Sequence, residues 1–246
     1  MARILEVCVG SVASAIAACD GGAVRVELCS ALEVGGVTPS VGLMRAVRAV
    51  DGIAMHVLIR PRGGDFLYDE SEVSCMEQDI LAARECGADG VVIGALTADG
   101  DIDVNVCRRL VQAAGDMHIT FHRAFDMCRE PLQALEDVIS LGCDRILTSG
   151  LAATAEAGMA LIAKLVEVAD GRISIMPGCG VNSGNAAHIL DVTGAVEIHA
   201  SARRSVGSGM LYRQSGVSMG NDGADEYARK ETDMTEVKKI VEAITC

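Results

Sequence analysis

Eight short apolar runs, each followed by a helical pattern, constrain the fold of this chain more than any other feature. A regular alternation of strand and helix predicts parallel strands joined by right-handed crossovers. Eight such units in 246 residues favour an α/β fold, a closed (β/α)8 barrel of the TIM type, in a single domain over residues 1–246. The predicted strands cover residues 4–9, 23–28, 54–59, 90–93, 118–121, 145–147, 174–177 and 197–200.

One segment, residues 203–233, interrupts this rhythm between the last strand and a final amphipathic helix at residues 235–244. It is rich in Gly, Ser and Met. Long loops in compact domains usually act as lids or binding surfaces, or are disordered. The sequence leaves two interpretations open, a lid or subunit contact on one side and a plain surface loop on the other.

The net charge of the chain limits its possible partners, and the spacing of its cysteines indicates their redox state. The formal net charge of -13 would repel nucleic acid and anionic membranes. No run reaches the roughly 18 uncharged apolar residues of a membrane span, so no membrane segment is predicted. The 10 cysteines are scattered singly, without a CxxC pair, which indicates reduced thiols. We therefore expect a cytoplasmic protein.

The interior of the predicted barrel is unusually polar, although bulky aliphatic side chains normally fill such interiors. The acids and bases could form a paired network that braces the barrel, for example Arg25 with Glu6 or Glu27. Alternatively they form a site, because they gather at the carboxyl ends of the strands, where barrel active sites lie. Alternate residues of a strand point inward. The inward set is Glu6 and Cys8, then Arg25, Glu27 and Cys29, then His56, Leu58 and Arg60, then Thr120 and His122, and finally Glu197, His199 and Ser201.

Three arginines near the predicted barrel mouth, Arg60, Arg62 and Arg123, indicate recognition of an anion. Arginine binds phosphate and carboxylate groups in bidentate fashion. Gly178 and Gly180 follow the seventh strand and Ser201 follows the eighth, and phosphate often binds to the loops after these strands in barrels. The sequence therefore predicts a phosphate or small carboxylate at this mouth.

His122 is the predicted proton carrier of such a site, because histidine changes charge nearest physiological pH. Glu6 or Glu27 could orient it or act as the opposing base. Asp65 and Asp126, on the flanking loops, are further candidates for acid/base work. The alternative is that the arginines only pair with these acids and brace the mouth.

The positions of the four lysines exclude two kinds of covalent catalysis. Schiff-base and pyridoxal chemistry need a lysine in the pocket. All four lysines fall in predicted helices or in the late loop, namely Lys164, Lys230, Lys238 and Lys239. No pyridoxal phosphate, nucleotide or haem cofactor is predicted.

Metal binding is the competing hypothesis. Cys8 and Cys29 share the inward phase on neighbouring strands, each two residues beyond an inward glutamate. Two soft thiolates suit Cu(I). The alternative is that both cysteines are small residues that fill the end of the barrel.

Six motifs, in order, resemble the CutC copper-homeostasis family across essentially the whole chain. The resemblance implies a barrel of the triosephosphate isomerase type, a cytosolic location, self-association and a role in copper handling. It also implies that Cys8 and Cys29 match the positions proposed in the family for Cu(I), whereas Cys179 stands where a glycine is expected. The motifs are Glu6-Val7-Cys8-Val9, Arg25-Val26-Glu27-Leu28-Cys29, Gly35-Gly36-Val37-Thr38-Pro39-Ser40, Ile59-Arg60-Pro61-Arg62-Gly63-Gly64-Asp65-Phe66, Thr120-Phe121-His122-Arg123-Ala124-Phe125-Asp126 and Arg145-Ile146-Leu147-Thr148-Ser149-Gly150.

Two classes of function follow. In the first, the protein is a Cu(I) carrier or sensor that uses Cys8 and Cys29. In the second, it is an enzyme that acts by acid/base chemistry on a small metabolite bearing phosphate or carboxylate. The expected partners are therefore a copper ion or a small anion, together with further copies of the chain in a homo-oligomer, and not nucleic acid or a membrane.

Overall fold

Parallel pairing of consecutive strands organises the computed structural model, which describes residues 3–214, 216–217 and 225–245. The eight barrel strands are β1 (Ile4–Val9), β2 (Arg25–Leu28), β3 (Ala54–Leu58), β4 (Gly90–Ile93), β5 (His118–Phe121), β6 (Arg145–Thr148), β7 (Ser174–Pro177) and β8 (Glu197–Ala200). The helices between and after them are α1 (Val12–Asp20), α2 (Val41–Arg48), α3 (Glu70–Glu85), α4 (Val104–Ala114), α5 (Pro131–Ser140), α6 (Met159–Ala169), α7 (Ala186–Thr193) and α8 (Met234–Thr245).

The strands run in the order β7-β6-β5-β4-β3-β2-β1-β8, all parallel, so the chain returns to its starting strand when β8 pairs with β1. β7 and β8, the two ends of this hydrogen-bonded order, then lie side by side, so the barrel is nearly closed. Gly178 directly follows β7, and its lack of a side chain allows close packing against β6 and β8. A Cβ at this position would lie 2.5 Å from Leu147 Cδ1 and 3.3 Å from His199 Cβ. The predicted (β/α)8 barrel is confirmed.

Two separate packing regions stabilise the barrel. The large apolar core lies between the outer face of the strands and the helices, and it includes Val7, Val26 and Val57, all 0% exposed. A small cluster of Cys8, Cys29, Leu58 and Val92 lies apart from it. The predicted alternation is therefore confirmed for β1 and β2, because aliphatic side chains face the helices while the polar set and the cysteines face inward.

The segment predicted as a loop at residues 203–233 contains an antiparallel ribbon. Its strands are β9 (Arg203–Gly207) and β10 (Ala228–Thr232), which pair with each other. Glu231 fastens the ribbon to α1, since one carboxylate oxygen accepts from the hydroxyls of Ser11 and Ser14, each at 2.5 Å. Residues 215 and 218–224 of the predicted loop lie outside the described residues.

None of the helices in the described part of the chain combines the length and apolar character that crossing a bilayer requires.

Candidate functional site

An ionic layer fills the interior of the barrel below the mouth. Arg25 bonds to the carboxylates of Glu6 and Glu197. Arg145 adds a second bond to Glu197 at 3.2 Å and donates to Thr120 Oγ1 at 3.3 Å. All five side chains are buried, so each charge is compensated by a partner at hydrogen-bond distance. The network interpretation thus holds for Arg25 and Glu6, whereas Glu27 points elsewhere.

His199 connects this layer to the mouth. Its Nδ1 lies 2.8 Å from Glu6 Oε1, and its Nε2 lies 3.7 Å from Glu27 Oε2. Burial by itself would lower the pKa of His199, but Cys8, Glu6 and Glu27 together raise that pKa well above its ordinary value. Burial likewise would raise the pKa of Glu6, and its contacts with His199 and Arg25 hold that pKa below the ordinary range instead. Glu6 and His199 therefore form a buried ion pair.

The two predicted thiols meet above His199. The sulfur atoms of Cys8 and Cys29 lie 3.4 Å apart, and Cys29 Sγ lies 3.6 Å from Glu27 Oε2. Hydrogen bonding from Cys29 lowers the pKa of Cys8 well below its ordinary value, and the same contact raises the pKa of Cys29. Burial and the neighbouring Cys8 raise the pKa of Glu27. These contacts favour ionisation of Cys8 over that of Cys29.

A cavity of about 460 Å³ opens at the carboxyl ends of the strands and is bordered by Cys8 but not by Cys29. This volume lies within the usual range of small-molecule sites. Cys8, Glu27 and His199 form part of its wall. The other predicted site residues that line it are Arg60, His122, Arg123, Asp126, Gly180 and Ser201.

His122 lies in this wall as a neutral hydrogen-bond donor. Its Nδ1 accepts a hydrogen bond from the backbone N–H of Ala124 at 3.1 Å, which places the ring proton on Nε2. That Nε2 is buried and has no hydrogen-bond partner among the residues described. Burial and the positive charge of Arg60 lower the pKa of His122 to about 3. This low pKa favours a His122 ring that stays neutral at neutral pH, rather than the proton carrier that the sequence predicted.

Arg60 is a buried charge, 6% exposed, that is held by backbone carbonyls. Its guanidinium donates to Val34 O at 2.9 Å, Gly36 O at 2.8 Å and Gly64 O at 2.7 Å. It also lies 5.0 Å from the centre of the Phe66 ring. The structure pairs it with no carboxylate within residues 3–214, 216–217 and 225–245. Its positive charge therefore acts on the cavity without neutralisation.

Arg123 and Asp126 form a brace at the mouth. Arg123 Nε donates to Asp126 Oδ2 at 2.7 Å, and its Nη2 donates to Ser149 Oγ at 3.0 Å. Asp126 also accepts from the hydroxyl of Thr148 at 2.5 Å and from the backbone of Ser149 at 2.9 Å. Because several donors already bond to the Asp126 carboxylate, Asp126 positions its neighbours rather than taking part in acid/base chemistry. Arg123 is partly exposed and can still donate to a ligand.

The structure does not bring Arg62 and Asp65 into the cavity. Arg62 turns outward and bonds to Glu72 at 2.5 Å and to Asp65 at 3.0 Å. Its guanidinium stacks on Tyr68, with 5.3 Å between Cζ and the ring centre. The Asp65 side chain is 71% exposed. Arg62 thus stabilises the loop that carries Phe66, and neither residue borders the site.

The loop after β7 turns tightly beside the cavity. Gly180 has φ +75° and lines the cavity, whereas Gly178 lies behind it against Leu147 and His199. Cys179 adopts φ +80° without being glycine, a conformation that is costly for an L-residue. This explains why a glycine is expected at that position.

Arg145, Phe66, Leu147 and Arg203 were not predicted as site residues. Arg145 and Leu147 alternate on the sixth predicted strand, so the same inward phase would have identified both. Phe66 and Arg203 lie on irregular backbone or at its edge, where no periodicity shows the direction of a side chain.

Comparison with known proteins is consistent across sequence and structure. The CutC family model matches residues 3–204. A CutC family protein from Chromobacterium violaceum is 55% identical over 244 residues, covering 99% of each chain. A human copper homeostasis protein cutC homolog is 48% identical and covers 96% of this chain and 87% of its own. A crystal structure assigned as the copper homeostasis protein CutC of Streptococcus agalactiae has a TM-score of 0.77 at 35% identity, covering 80% of this chain and 97% of its own. This chain therefore belongs to the CutC family.

Proposed function

We propose that this protein binds Cu(I) through the thiolates of Cys8 and Cys29 at the barrel mouth. The observation that carries the proposal is the 3.4 Å separation of their sulfur atoms, with Cys8 on β1 and Cys29 directly after the neighbouring strand β2. Thiolates are soft ligands that select Cu(I). The names of the human and streptococcal relatives, which refer to copper homeostasis, support the same ion.

The donor set favours Cu(I) over zinc. Structural zinc sites are tetrahedral, with four ligands from cysteine, histidine and carboxylate. Within the described ranges, the cluster with ligand atoms inside 4.8 Å of one another contains only Cys8, Glu27 and Cys29. Two sulfur ligands at one edge of a barrel suit an ion that accepts a low coordination number.

A competition titration tests this proposal. Reduced protein is loaded anaerobically with one equivalent of Cu(I) and titrated with a chromogenic Cu(I) chelator. We expect the wild type to retain the ion at chelator concentrations that strip Cys8→Ser/Cys29→Ser. The matched control is Cys19→Ser/Cys75→Ser, which removes two thiols outside the barrel interior and should behave as the wild type. Equal affinity in the wild type and Cys8→Ser/Cys29→Ser would contradict the proposal.

A second candidate function is catalysis on a small anionic metabolite, and the charge of Arg60 favours it. A buried charge is costly unless it is compensated. Arg60 lines the cavity together with His122, and within the described residues its charge is compensated by backbone carbonyls and by no carboxylate. A soft-metal carrier has no need of either group.

Thermal-shift measurements with phosphate and small carboxylates test the second candidate. We expect these anions to stabilise the wild type and Arg62→Ala, because Arg62 lies outside the cavity. They should not stabilise Arg123→Ala. A wild type that responds to no anion would count against this function.

The remaining proposals concern the state of the protein in the cell. We infer that the chain is one domain over residues 1–246 and that it functions in the cytoplasm as a homo-oligomer. The net charge of -13 supports the proposal that nucleic acid and anionic membranes are not its partners. Light scattering coupled to gel filtration gives the oligomeric state, and a monomeric mass would contradict the last proposal.

A further inference from the structure

The two thiols inside the barrel are in contact with each other but differ in their access to the cavity. Cys8 Sγ and Cys29 Sγ lie 3.4 Å apart. Among the free cysteines of the described residues, no other two sulfur atoms meet at hydrogen-bond distance. Cys8 borders the cavity and is 8% exposed, whereas Cys29 does not border it and is 1% exposed. A small reagent that enters from the mouth therefore reaches Cys8 first.

Only a short movement separates the two sulfur atoms from a covalent bond. An S–S bond is about 2.05 Å long, so each sulfur must move by roughly 0.7 Å from the present separation of 3.4 Å. Cys8 lies within β1, whereas Cys29 lies beyond Leu28, the last residue of β2. The adjustment therefore falls on side-chain rotation and on the start of the loop after β2.

The surroundings of the two sulfur atoms suit a neutral disulfide. Leu58 and Val92, both buried, form one cluster with Cys8 and Cys29, and Leu32 packs against it. Burial among apolar side chains is costly for a charge or for an unsatisfied polar group. A disulfide carries no charge and no S–H donor, so oxidation removes polar groups from this cluster without removing any packing atoms except hydrogen.

We propose that Cys8 and Cys29 form a modification site, at which hydrogen peroxide converts the two thiols into a reversible disulfide that excludes Cu(I). Formation of the disulfide is independent of the proposed copper function, whereas the exclusion of Cu(I) rests on it. The thiolate is the form of cysteine that binds a metal, and a disulfide sulfur is no longer a thiolate. Oxidation and Cu(I) binding are therefore mutually exclusive.

The reaction proceeds in two steps. The thiolate of Cys8 attacks one oxygen of hydrogen peroxide, the O–O bond breaks, and Cys8 becomes a sulfenic acid. The hydroxide that leaves takes up the proton that Cys8 gave up and becomes water. The sulfur of Cys29 then attacks the sulfur of Cys8, the S–O bond breaks, and the hydroxyl group leaves with the Cys29 proton as a second water. The two thiols lose two electrons, which reduce one peroxide to two waters.

Contact between the thiols also protects Cys8 from irreversible oxidation. A sulfenic acid that meets more peroxide becomes a sulfinic acid, whereas one that meets a thiol condenses to a disulfide. Cys29 already touches Cys8, so the second thiol intercepts the sulfenic acid.

Peptide mapping of the reduced, copper-free protein after peroxide treatment tests the proposal. The remaining thiols are alkylated in denaturant, and the chain is digested with trypsin, which cleaves after Arg25 and so separates Cys8 from Cys29. We expect a disulfide between peptides 4–25 and 26–45, which dithiothreitol removes. Cys19 shares the first peptide with Cys8. The matched control is therefore Cys19→Ser/Cys75→Ser, in which the same link can come only from Cys8.

Two single variants test the order of the steps. Cys29→Ser should stop at the sulfenic acid of Cys8, which dimedone traps. In Cys8→Ser the thiol of Cys29 should stay available for alkylation after the same treatment, because Cys29 does not border the cavity.

Two thiols that both remain alkylated in the wild type, or an oxidised Cys8 without a link to Cys29, would overturn the disulfide. The linked, desalted protein should lose Cu(I) to the chromogenic chelator, and dithiothreitol followed by desalting should restore retention. Retention of Cu(I) by the linked protein would overturn the exclusion. A link that forms in a protein whose reduced form also fails to retain Cu(I) would contradict the copper function and support the disulfide alone.

Discussion

The Nδ1 of His199 lies 2.8 Å from Oε1 of Glu6, so a histidine of the last barrel strand is bonded to a carboxylate of the first. The two residues are direct partners in the register of β1 and β8. Glu6 also bonds to Arg25 and is 0% exposed. One carboxylate thus compensates two buried cations and supports the side chain that stands beside Cys8.

Glu6→Gln should destabilise the fold strongly. The amide leaves His199 without its carboxylate and Arg25 with Glu197 alone, and removing one partner of a buried ion pair typically costs about 3–5 kcal/mol. Urea denaturation measures the change in the free energy of unfolding. The control is Glu33→Gln on the exposed surface, which should stay within about 0.5 kcal/mol of the wild type. A Glu6→Gln variant as stable as this control would show that the ionic layer is dispensable.

His122 makes stability depend on pH. Its pKa is lowered from 6.5 to about 3, so the fold favours the neutral ring. The unfolded chain binds the proton first as the pH falls, and the stability contributed by this group is therefore complete above about pH 6.5 and lost toward pH 3. Between pH 7 and pH 5 the wild type should lose about 2 kcal/mol more than His122→Asn, since one pKa unit corresponds to about 1.4 kcal/mol. Urea denaturation at both pH values measures the free energy of unfolding. Equal losses in the wild type and in His122→Asn would contradict a pKa of about 3 for His122.

Gly94 sets the position of the His122 ring. A Cβ at this glycine would lie 2.5 Å from His122 Cε1 and 2.6 Å from Nδ1, so Gly94→Ala must displace the imidazole. We expect a loss of about 1–3 kcal/mol, the range for overpacked interiors. Gly207→Ala is the control, because no atom lies within 4 Å of the added Cβ. Thermal unfolding of both variants checks this, and equal midpoints would be contrary to the packing described.

The interior of the barrel was predictable because a strand has a period of two. Once β1 was located, Leu5 and Val7 had to face the helices, and Glu6 and Cys8 had to face inward. The same step put Arg25 on the inner face, with either Glu6 or Glu27 as its expected partner, and brought Cys29 to the same end as Cys8. The inward or outward direction of these side chains therefore follows from the apolar pattern, whereas the pairing of Arg25 with Glu6 depends on the strand register.

The mouth was less predictable because loop residues have no period. Arg60 and Arg62 stand two positions apart, yet Arg60 bonds inward to carbonyls and Arg62 turns outward to Glu72. The ribbon of β9 and β10 has few apolar residues, so its hydrogen bonds left no hydrophobic signal in the sequence. The saturation of Asp126 by neighbouring donors depends on the fold around it and could not be read from residue type.

The central claim is that Cys8 and Cys29 hold one Cu(I) ion, and copper K-edge X-ray absorption of the loaded, reduced protein tests it most directly. The account predicts a first shell of two sulfur atoms without a nitrogen contribution, in a protein that binds one copper per chain. The sulfur shell should persist in Cys19→Ser/Cys75→Ser and disappear in Cys8→Ser/Cys29→Ser. A shell of nitrogen or oxygen that is the same in the wild type and in Cys8→Ser/Cys29→Ser would contradict it.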